Sequence, residues 1–467
     1  MRHLELLTAV LLSLSLIRLA LPIRLRWLDY LPALGLVAAI LQLMVEGYRW
    51  QMLPLDIFAF GQFLVTLPAY FHFPRKPTIK PAWRIILLVV SFLLLTVAIA
   101  LPILLPIPGF SGTPGPFKVG TFSMELTDNA RRELYSGNPS DPRRIMVQFW
   151  YPADPRPEDR LAPWMDHPEV IGPAMATYLG LPSFFLDHLK YVRSSAFLDA
   201  PVDRSNAPYP VLLFSHGWNG FRAQNTNLAL HLASHGYIVI AIDHTFGNIA
   251  MVFPDGSVVY NNPQALPEGL PDDQYLPIAN RLAEQWSGDM AFVLDTLQGM
   301  DQADIAHGMG NTMNLDKVGV FGHSMGGGST VEFCARDARC KAGLGLDAYM
   351  LPVADSILAA GVRQPFLFMF SETWPTKQNW TLFDKLAAHS QHVSVLTIKG
   401  TSHYDYSDLP MLTPLATLMG LKGPLSGSRV MQITSDYPLA FFDSQFYSKP
   451  THLLDGPNAA YPEVVFP

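Results

Sequence analysis

The sequence predicts a doubly wound α/β domain with a mostly parallel sheet, preceded by an all-α transmembrane helical region. Three observations predict it. Short apolar runs alternate with helical patterns over residues 209–398, the signature of βαβ units. One of those runs ends in the glycine-flanked turn Gly322-His323-Ser324-Met325-Gly326. Four apolar stretches, 4–23, 28–45, 53–73 and 85–105, each approach the roughly 20 residues a helix needs to cross a bilayer. The 467 residues therefore divide into a transmembrane region of about four helices over 1–107, a linker and entry segment over 108–143, and an α/β domain over 144–467.

Composition narrows the function. Hydrophobic residues make up 49% of the chain, and the excess lies mostly in the first 110 residues. A net charge of −7 without a basic stripe excludes a nucleic-acid partner. The two cysteines, Cys334 and Cys340, lack a second pair at metal-ligand spacing, so the sequence implies no metal and no cofactor. Free buried thiols are the plainer expectation for them, and a local disulfide needs an oxidising compartment.

The fourth apolar stretch is the most apolar. The first carries Glu5 and Arg18, which makes it the weakest. Those two charges are either a pair inside the membrane or a snorkelling arginine and an end-located glutamate. A signal peptide accounts for the first stretch alone, since three more follow. Arg24 and Arg26 lie between stretches one and two, and Arg75, Lys76, Lys80 and Arg84 between three and four. The positive-inside rule puts both groups in the cytoplasm. The chain then emerges after Leu105, so the expectation is a multi-pass cell-membrane protein with its α/β domain on the outer, periplasmic or extracellular, face. Trp27, Tyr30, Trp50, Tyr70 and Trp83 sit near the ends of the stretches, as interfacial aromatics do.

Residues 106–116 are rich in Pro and Gly and predict a linker. Residues 144–151 predict a strand closed by Pro152. The proline-rich 155–205 predicts a cap or peripheral loops. Residues 209–214 form a continuous apolar run, like a central parallel strand, ending in Ser215-His216-Gly217-Trp218. A helix over 228–235, stopped by Gly236, leads to a buried strand over 237–243. A polar insertion over 252–271 precedes a long helix over 275–300, with Leu282, Trp286, Met290, Val293 and Leu297 at helical spacing. A strand over 318–321, the turn, and a helix from 329 to about 335 follow.

Strand, G-x-S-x-G and helix together are the nucleophile elbow of the α/β-hydrolase fold. The turn is too tight for a side chain at Gly322 or Gly326, and it lifts Ser324 Oγ beyond the sheet edge. The backbone N–H after the nucleophile, on Met325, is one expected oxyanion donor. The His-Gly turn after 209–214 supplies the other, on Trp218. A plain glycine turn is the alternative for that segment taken alone. A serine needs a base, and the base an orienting acid, in the chain order Ser, acid, His. Past His323 the histidines are His389, His392, His403 and His452. His403 follows the last predicted strand, 393–398, where the base belongs. Asp347 ends the first strand after the elbow and Glu372 the second. Both open at the same sheet edge, so position leaves the acid open between them.

The stretch 144–446 resembles the plasma-type and type II intracellular platelet-activating factor acetylhydrolases. The resemblance rests on Phe214-Ser215-His216-Gly217, Leu232-Ala233-Ser234-His235-Gly236-Tyr237, the elbow, Leu346-Asp347-Ala348-Tyr349-Met350 and Leu421-Lys422-Gly423. It implies a Ser324–Asp347–His403 triad, with Asp347 rather than Glu372 as the acid. Met325 and Trp218 replace the Phe and Leu usual in the family, and the family lacks the four apolar stretches. The expectation is a membrane-anchored serine esterase for short-acyl or oxidised phospholipids or other lipophilic esters. A polyester or cutinase-like carboxylesterase is the second reading, suggested by the three glycines after Met325. A non-catalytic, membrane-tethered hydrolase-like binding protein is the third.

Overall fold

The computed structural model describes residues 1–21, 25–70, 80–110, 112–303 and 308–466. Arg24, Arg75 and Lys76, three of the basic residues behind the expected orientation, lie outside the described residues, as do the ends of the 4–23 and 53–73 stretches. The chain divides into two units. One is Met1–Pro108 with the short segments Asp187–Leu189 and Leu412–Leu415, and the other is the remainder.

The first unit contains α1 (His3–Ala20), α2 (Leu31–Val45), α3 (Leu53–Tyr70) and α4 (Pro81–Leu104). Among the described residues, four helical spans are long and apolar enough to cross a membrane, by length and composition. The fourth is the most apolar. The third is the least, whereas its two charges had pointed to the first. Leu and Val side chains such as Leu93, Leu94, Val65 and Val97 stay exposed on these helices. Glu5 and Arg18 do not pair. Glu5 is fully buried against Arg49, with Nε to Oε1 at 2.8 Å, and also bonds Arg2. Arg18 meets Asp29 at 3.1 Å.

The second unit is built on an eleven-stranded sheet. Its early members are β1 (Lys118–Arg132), β2 (Pro142–Ala153), β3 (Leu161–Pro163) and β4 (Arg193–Leu198), with α5 (Pro168–Tyr178) between β3 and β4. Then come β5 (Tyr209–Ser215), α6 (Thr226–Ser234), β6 (Ile238–Asp243) and a separate hairpin of β7 (Ala250–Val252) and β8 (Val258–Tyr260). The elbow region is α7 (Asp272–Ala303), β9 (Met313–His323), α8 (Met325–Arg336) and β10 (Cys340–Leu346). The chain closes with α9 (Asp355–Ala360), β11 (Phe366–Ser371), α10 (Lys377–His389), β12 (Val393–Ile398), α11 (Gly427–Phe446) and β13 (Val464–Val465). The strand order is β13-β12-β11-β10-β9-β5-β6-β2-β1-β4-β3. The run from β6 to β12 is parallel throughout, and β2 and β13 pair antiparallel at its two ends.

Strand alternation fixes the layers. Along β5, Val211 and Leu213 point to one face and Leu212 and Phe214 to the other, because successive Cβ atoms alternate across a strand. The first face is covered by α7, α8, α9 and α10 through Met290, Val293, Val331, Ile357 and Phe383. The second is covered by α6 and α11 through Leu228, Leu232, Ile433 and Phe442.

Four expectations need correction. Residues 118–132 were expected to belong to the linker and entry segment ahead of the sheet, but they form the longest strand, paired with β2. Residues 155–205 are not wholly peripheral, since β3 and β4 extend the sheet. The helix after the elbow begins at Met325, four residues earlier than expected. Glycine's poor helix propensity argued for a later start. Packing overrides it: a Cβ on Gly326, Gly327 or Gly328 would come within 2.1 Å of Ser215 O, 2.8 Å of Ala348 Cα and 2.3 Å of Tyr349 O respectively. The three glycines are thus explained by close contact with neighbouring backbone. Cys334 and Cys340 form a disulfide rather than free thiols.

Candidate active site

Ser324 joins β9 to α8. Its backbone is held at φ 54° and ψ −118°, a region costly for any residue with a side chain. Its neighbours hold it there: Ser324 N–H donates to Leu346 O at 3.0 Å, and its own carbonyl accepts from Tyr349 N–H at 2.9 Å. The flanking glycines are obligatory. A Cβ on Gly322 would lie 2.2 Å from Gly326 O, far inside any normal contact. The collision expected from the sequence is thus borne out in the geometry of the turn.

Asp347 follows β10, fully buried, with φ 46°. Its Oδ1 accepts from Ser371 N–H at 2.8 Å, and its Oδ2 accepts from Ser371 Oγ at 2.7 Å and from His403 Nδ1 at 2.9 Å. A carboxylate gripped this way fixes the His403 tautomer with its proton on Nδ1 and leaves Nε2 a lone pair. Glu372 is exposed and accepts from Gly400 N–H at 2.7 Å. It bonds the loop ahead of His403 and has no hydrogen bond to the ring among the described residues. Of the other late histidines, His389 Nδ1 bonds Lys385 O and His452 pairs with Asp455. Ser324 and His403 line one cavity, although no hydrogen bond joins Ser324 Oγ to the ring among the described residues. Such bonds commonly tighten only once substrate is bound.

The cavity measures about 510 Å³, within the range usual for small-molecule sites. Trp218, Phe221, Met325 and Leu351 give it apolar walls, while Glu268 and Asp272 are its carboxylates. No Lys or Arg lines it among the described residues. Two tyrosine pairs stand at its wall: Tyr275 and Tyr349 hydroxyls at 2.9 Å, and Tyr178 and Tyr404 hydroxyls at 3.2 Å. The backbone N–H groups of Trp218 and Met325 have no acceptor among the described residues. Met325 is the first residue of α8, where N–H groups are unpaired and the helix dipole favours negative charge.

Four supporting residues were not singled out from the sequence. Ser371, at the end of β11, holds the Asp347 carboxylate. Trp374 stacks on the His403 ring, with centroids 3.9 Å apart and planes at 15°. Gln224 links two parts of the site: its Oε1 accepts from Gly217 N–H at 3.3 Å and its Nε2 donates to His323 Nδ1 at 2.9 Å. His323 therefore carries its proton on Nε2 and donates to the His403 carbonyl at 3.0 Å. Burial pushes its pKa well below the ordinary value, so the ring stays neutral. The x of G-x-S-x-G was the one signal for His323. Gln224 and Trp374 sit in loops with no motif around them.

The sequence profile described as "Platelet-activating factor acetylhydrolase, isoform II" matches residues 109–253 and 294–451, more than half of the chain. A platelet-activating factor acetylhydrolase from Canis lupus familiaris is 27% identical over 321 residues, covering 61% of this chain and 71% of its own length. A probable 1-alkyl-2-acetylglycerophosphocholine esterase from Arthroderma benhamiae is 27% identical over 391 residues, covering 75% and 92%. Among solved structures, a ferulic acid esterase from Streptomyces cinnamoneus superposes with a TM-score of 0.63 at 26% identity, covering 77% of this chain and 99% of that one.

Proposed function

The chain belongs to the platelet-activating factor acetylhydrolase, isoform II family, and on that premise we propose that it is a membrane-anchored serine esterase acting on short-acyl or oxidised phospholipids or related lipophilic esters. The single observation that carries this reading is the hydrogen bond from buried Asp347 to His403, which lines the same cavity as the strained Ser324. Ser324 Oγ attacks the ester carbonyl while His403 Nε2 takes its proton. Asp347 steadies the imidazolium that forms. The N–H groups of Trp218 and Met325 stabilise the oxyanion. The ester C–O bond then breaks, and the leaving alcohol receives the proton from His403. Water, deprotonated by the same ring, cleaves the acyl-enzyme and frees the carboxylic acid and Ser324.

The α/β-hydrolase fold hosts many chemistries, so substrate choice rests on the site. Apolar walls fit a lipid chain, and Glu268 and Asp272, with no cationic lining residue among the described ones, favour a neutral or cationic ester over an anionic one. Four membrane-length helices in the same chain would hold the site where lipid esters are concentrated. Placement of the domain on the outer face is supported by Lys80 just before α4 and Arg84 in its first turn, and by the Cys334–Cys340 disulfide, which is favoured in oxidising compartments.

Full-length protein in membranes should hydrolyse acetylated phospholipid, and Ser324→Ala should abolish both hydrolysis and fluorophosphonate labelling at undiminished expression. Hydrolysis that survives the substitution would refute the assignment. Hydrolysis of polyester film without any of phospholipid would favour the cutinase-like reading, and absence of probe labelling in the wild type the binding-protein reading. A C-terminal alkaline phosphatase fusion should be active outside the cell; an inactive fusion would reverse the proposed topology.

A further inference from the structure

His216 lies directly before the proposed oxyanion turn, fully buried beneath it. Its two nitrogens have different partners. Nε2 accepts from the backbone N–H of His244 at 3.1 Å. A ring nitrogen that accepts carries no proton, so the proton is on Nδ1. Nδ1 lies 2.7 Å from Gly217 O and therefore donates to it. The same carbonyl accepts from Gly220 N–H at 2.8 Å. Two donors thus fix the direction of the Gly217 carbonyl.

That direction has a consequence one bond away. The Gly217–Trp218 peptide is trans, since the single cis bond found among the described residues is Ala207–Pro208. In a planar trans peptide the N–H points opposite to the C=O. Pulling the Gly217 carbonyl toward His216 and Gly220 therefore turns the Trp218 N–H the other way. On Gly217 a Cβ would lie 3.3 Å from Ser324 Cβ, so this peptide borders the nucleophile. The Trp218 N–H has no acceptor among the described residues.

What holds His244 completes the device. Its Nε2 lies 2.9 Å from Ser215 Oγ and its Nδ1 2.9 Å from Asp289 Oδ2. Asp289 is clamped by Arg143, at 2.6 and 3.0 Å, and by Arg131 at 2.9 Å. The His244 ring stacks on Trp286 with centroids 4.2 Å apart and planes at 8°. This Ser215–His244–Asp289 chain copies the order of a catalytic triad, yet all three side chains are sealed from solvent. It presents the His244 backbone N–H rigidly to His216.

We propose that His216 is a positioning residue for ester hydrolysis: through the Gly217 carbonyl it aims the Trp218 N–H at the oxyanion, and the buried Ser215–His244–Asp289 chain holds it in the Nδ1–H tautomer that this requires. Burial lowers the His216 pKa, which keeps the ring neutral.

The inference rests on the serine-esterase reading, and the test separates the two. Full-length wild type, His216→Gln and His216→Asn are purified in one detergent. Their thermal unfolding is compared first, and each is then assayed on a short-chain p-nitrophenyl ester. Gln can accept from His244 N–H but places no donor at Gly217 O. Asn carries an amide N–H where Nδ1 stands. His216→Gln should lower kcat about tenfold to hundredfold with KM within about threefold, the pattern of an interaction made only in the transition state. Affinity for a trifluoromethyl ketone, which forms a hemiketal oxyanion on Ser324, should fall by the same factor as kcat/KM. His216→Asn should recover at least tenfold of the lost kcat. A folded His216→Gln protein with unchanged kcat, or a loss that His216→Asn does not restore, overturns the proposal. Where His216→Gln does not fold, His216→Asn alone decides: a ketone affinity and kcat that move together support it, and a kcat loss with unaltered ketone affinity overturns it. Absence of activity in the wild type would fail the esterase reading instead.

Discussion

Asp347→Asn tests the acid assignment, and its magnitude follows from three hydrogen bonds. Ser371 N–H donates to Asp347 Oδ1 at 2.8 Å, and a backbone donor cannot be turned around. The Asn oxygen must therefore occupy the Oδ1 position, which puts the amide NH2 where Oδ2 was. Ser371 Oγ can rotate its hydrogen away and accept. His403 Nδ1, 2.9 Å from that site, cannot keep its proton against an N–H donor. The proton moves to Nε2, the nitrogen that must take the Ser324 proton. Wrong-tautomer substitutions of this kind cost about four decades in kcat, or about 5.5 kcal/mol of transition-state stabilisation at 1.36 kcal/mol per decade. Glu372→Gln keeps an oxygen for Gly400 N–H and leaves His403 untouched, so its kcat should stay within about fivefold of wild type. The assay is burst-free steady-state hydrolysis of a p-nitrophenyl ester by full-length protein, with circular dichroism to establish that both variants fold. A Glu372→Gln protein that is inactive beside an Asp347→Asn protein that is not would refute the tautomer argument and transfer the role to Glu372.

Two further predictions concern stability. Gly326→Ala should cost at least about 3 kcal/mol and most of the activity, because its Cβ falls 2.1 Å from Ser215 O and 2.4 Å from His216 O, backbone atoms at the oxyanion strand that cannot yield locally; Gly299→Ala in α7, with no atom within 4 Å, should instead gain about 0.5–1 kcal/mol. Equal melting temperatures for the two variants would contradict the close-packing account. Burial pushes His231 down to about 4 and His244 down to about 3, and it also lowers His216 and His323. Groups with depressed folded pKa values bind protons in the unfolded chain first, so stability is full above about pH 6.5 and is lost as pH falls below it. Burial raises the Asp405 and Asp408 carboxyls, which act with the opposite sign. Four histidines against two carboxyls leave a net loss of stability as pH falls from about 7.5 to about 5.5. Urea midpoints that coincide at those two pH values would show that the histidines are not held neutral.

Much of the fold was legible because a parallel sheet buried on both faces needs unbroken apolar strands. Residues 209–214 and 237–243 carry that signal, and they became β5 and β6. β1 was legible in principle, since Phe122, Met124 and Leu126 alternate with Ser123, Glu125 and Thr127. Its alternation is that of a strand with one face in the core. The proline-rich segment just ahead of it masked the signal. The start of α8 was hidden for a different reason. Propensity reads Met325-Gly326-Gly327-Gly328 as a loop, while the folded chain needs a helix there whose first turn has no side chains. Only the positions of Ser215, Ala348 and Tyr349, distant in sequence, reveal that need.

The site divides along the same line. Ser324 and Asp347 directly follow strands and His403 lies in the loop after one, so counting strands was enough to nominate two candidates and to narrow the third to a pair of carboxylates. Counting could not choose between Asp347 and Glu372, because the choice is made by where a side chain points beyond its strand. Ser371 shows how. It lies next to Glu372 in sequence, and its N–H and Oγ both bind Asp347. With those two donors occupied, the carboxylate left to meet His403 is the one from the neighbouring strand, and Glu372 turns outward to Gly400. Gln224, His323 and His216 act by the same logic, each fixing a backbone or ring partner that sequence separates from it by anything from one residue to ninety-nine. Their roles depend on which nitrogen carries a proton, and that is set by the partner on the ring's far side. Such information exists only once the loops are in contact. A strand-end motif can therefore nominate candidate reacting groups, while the groups that would aim them become visible only in three dimensions.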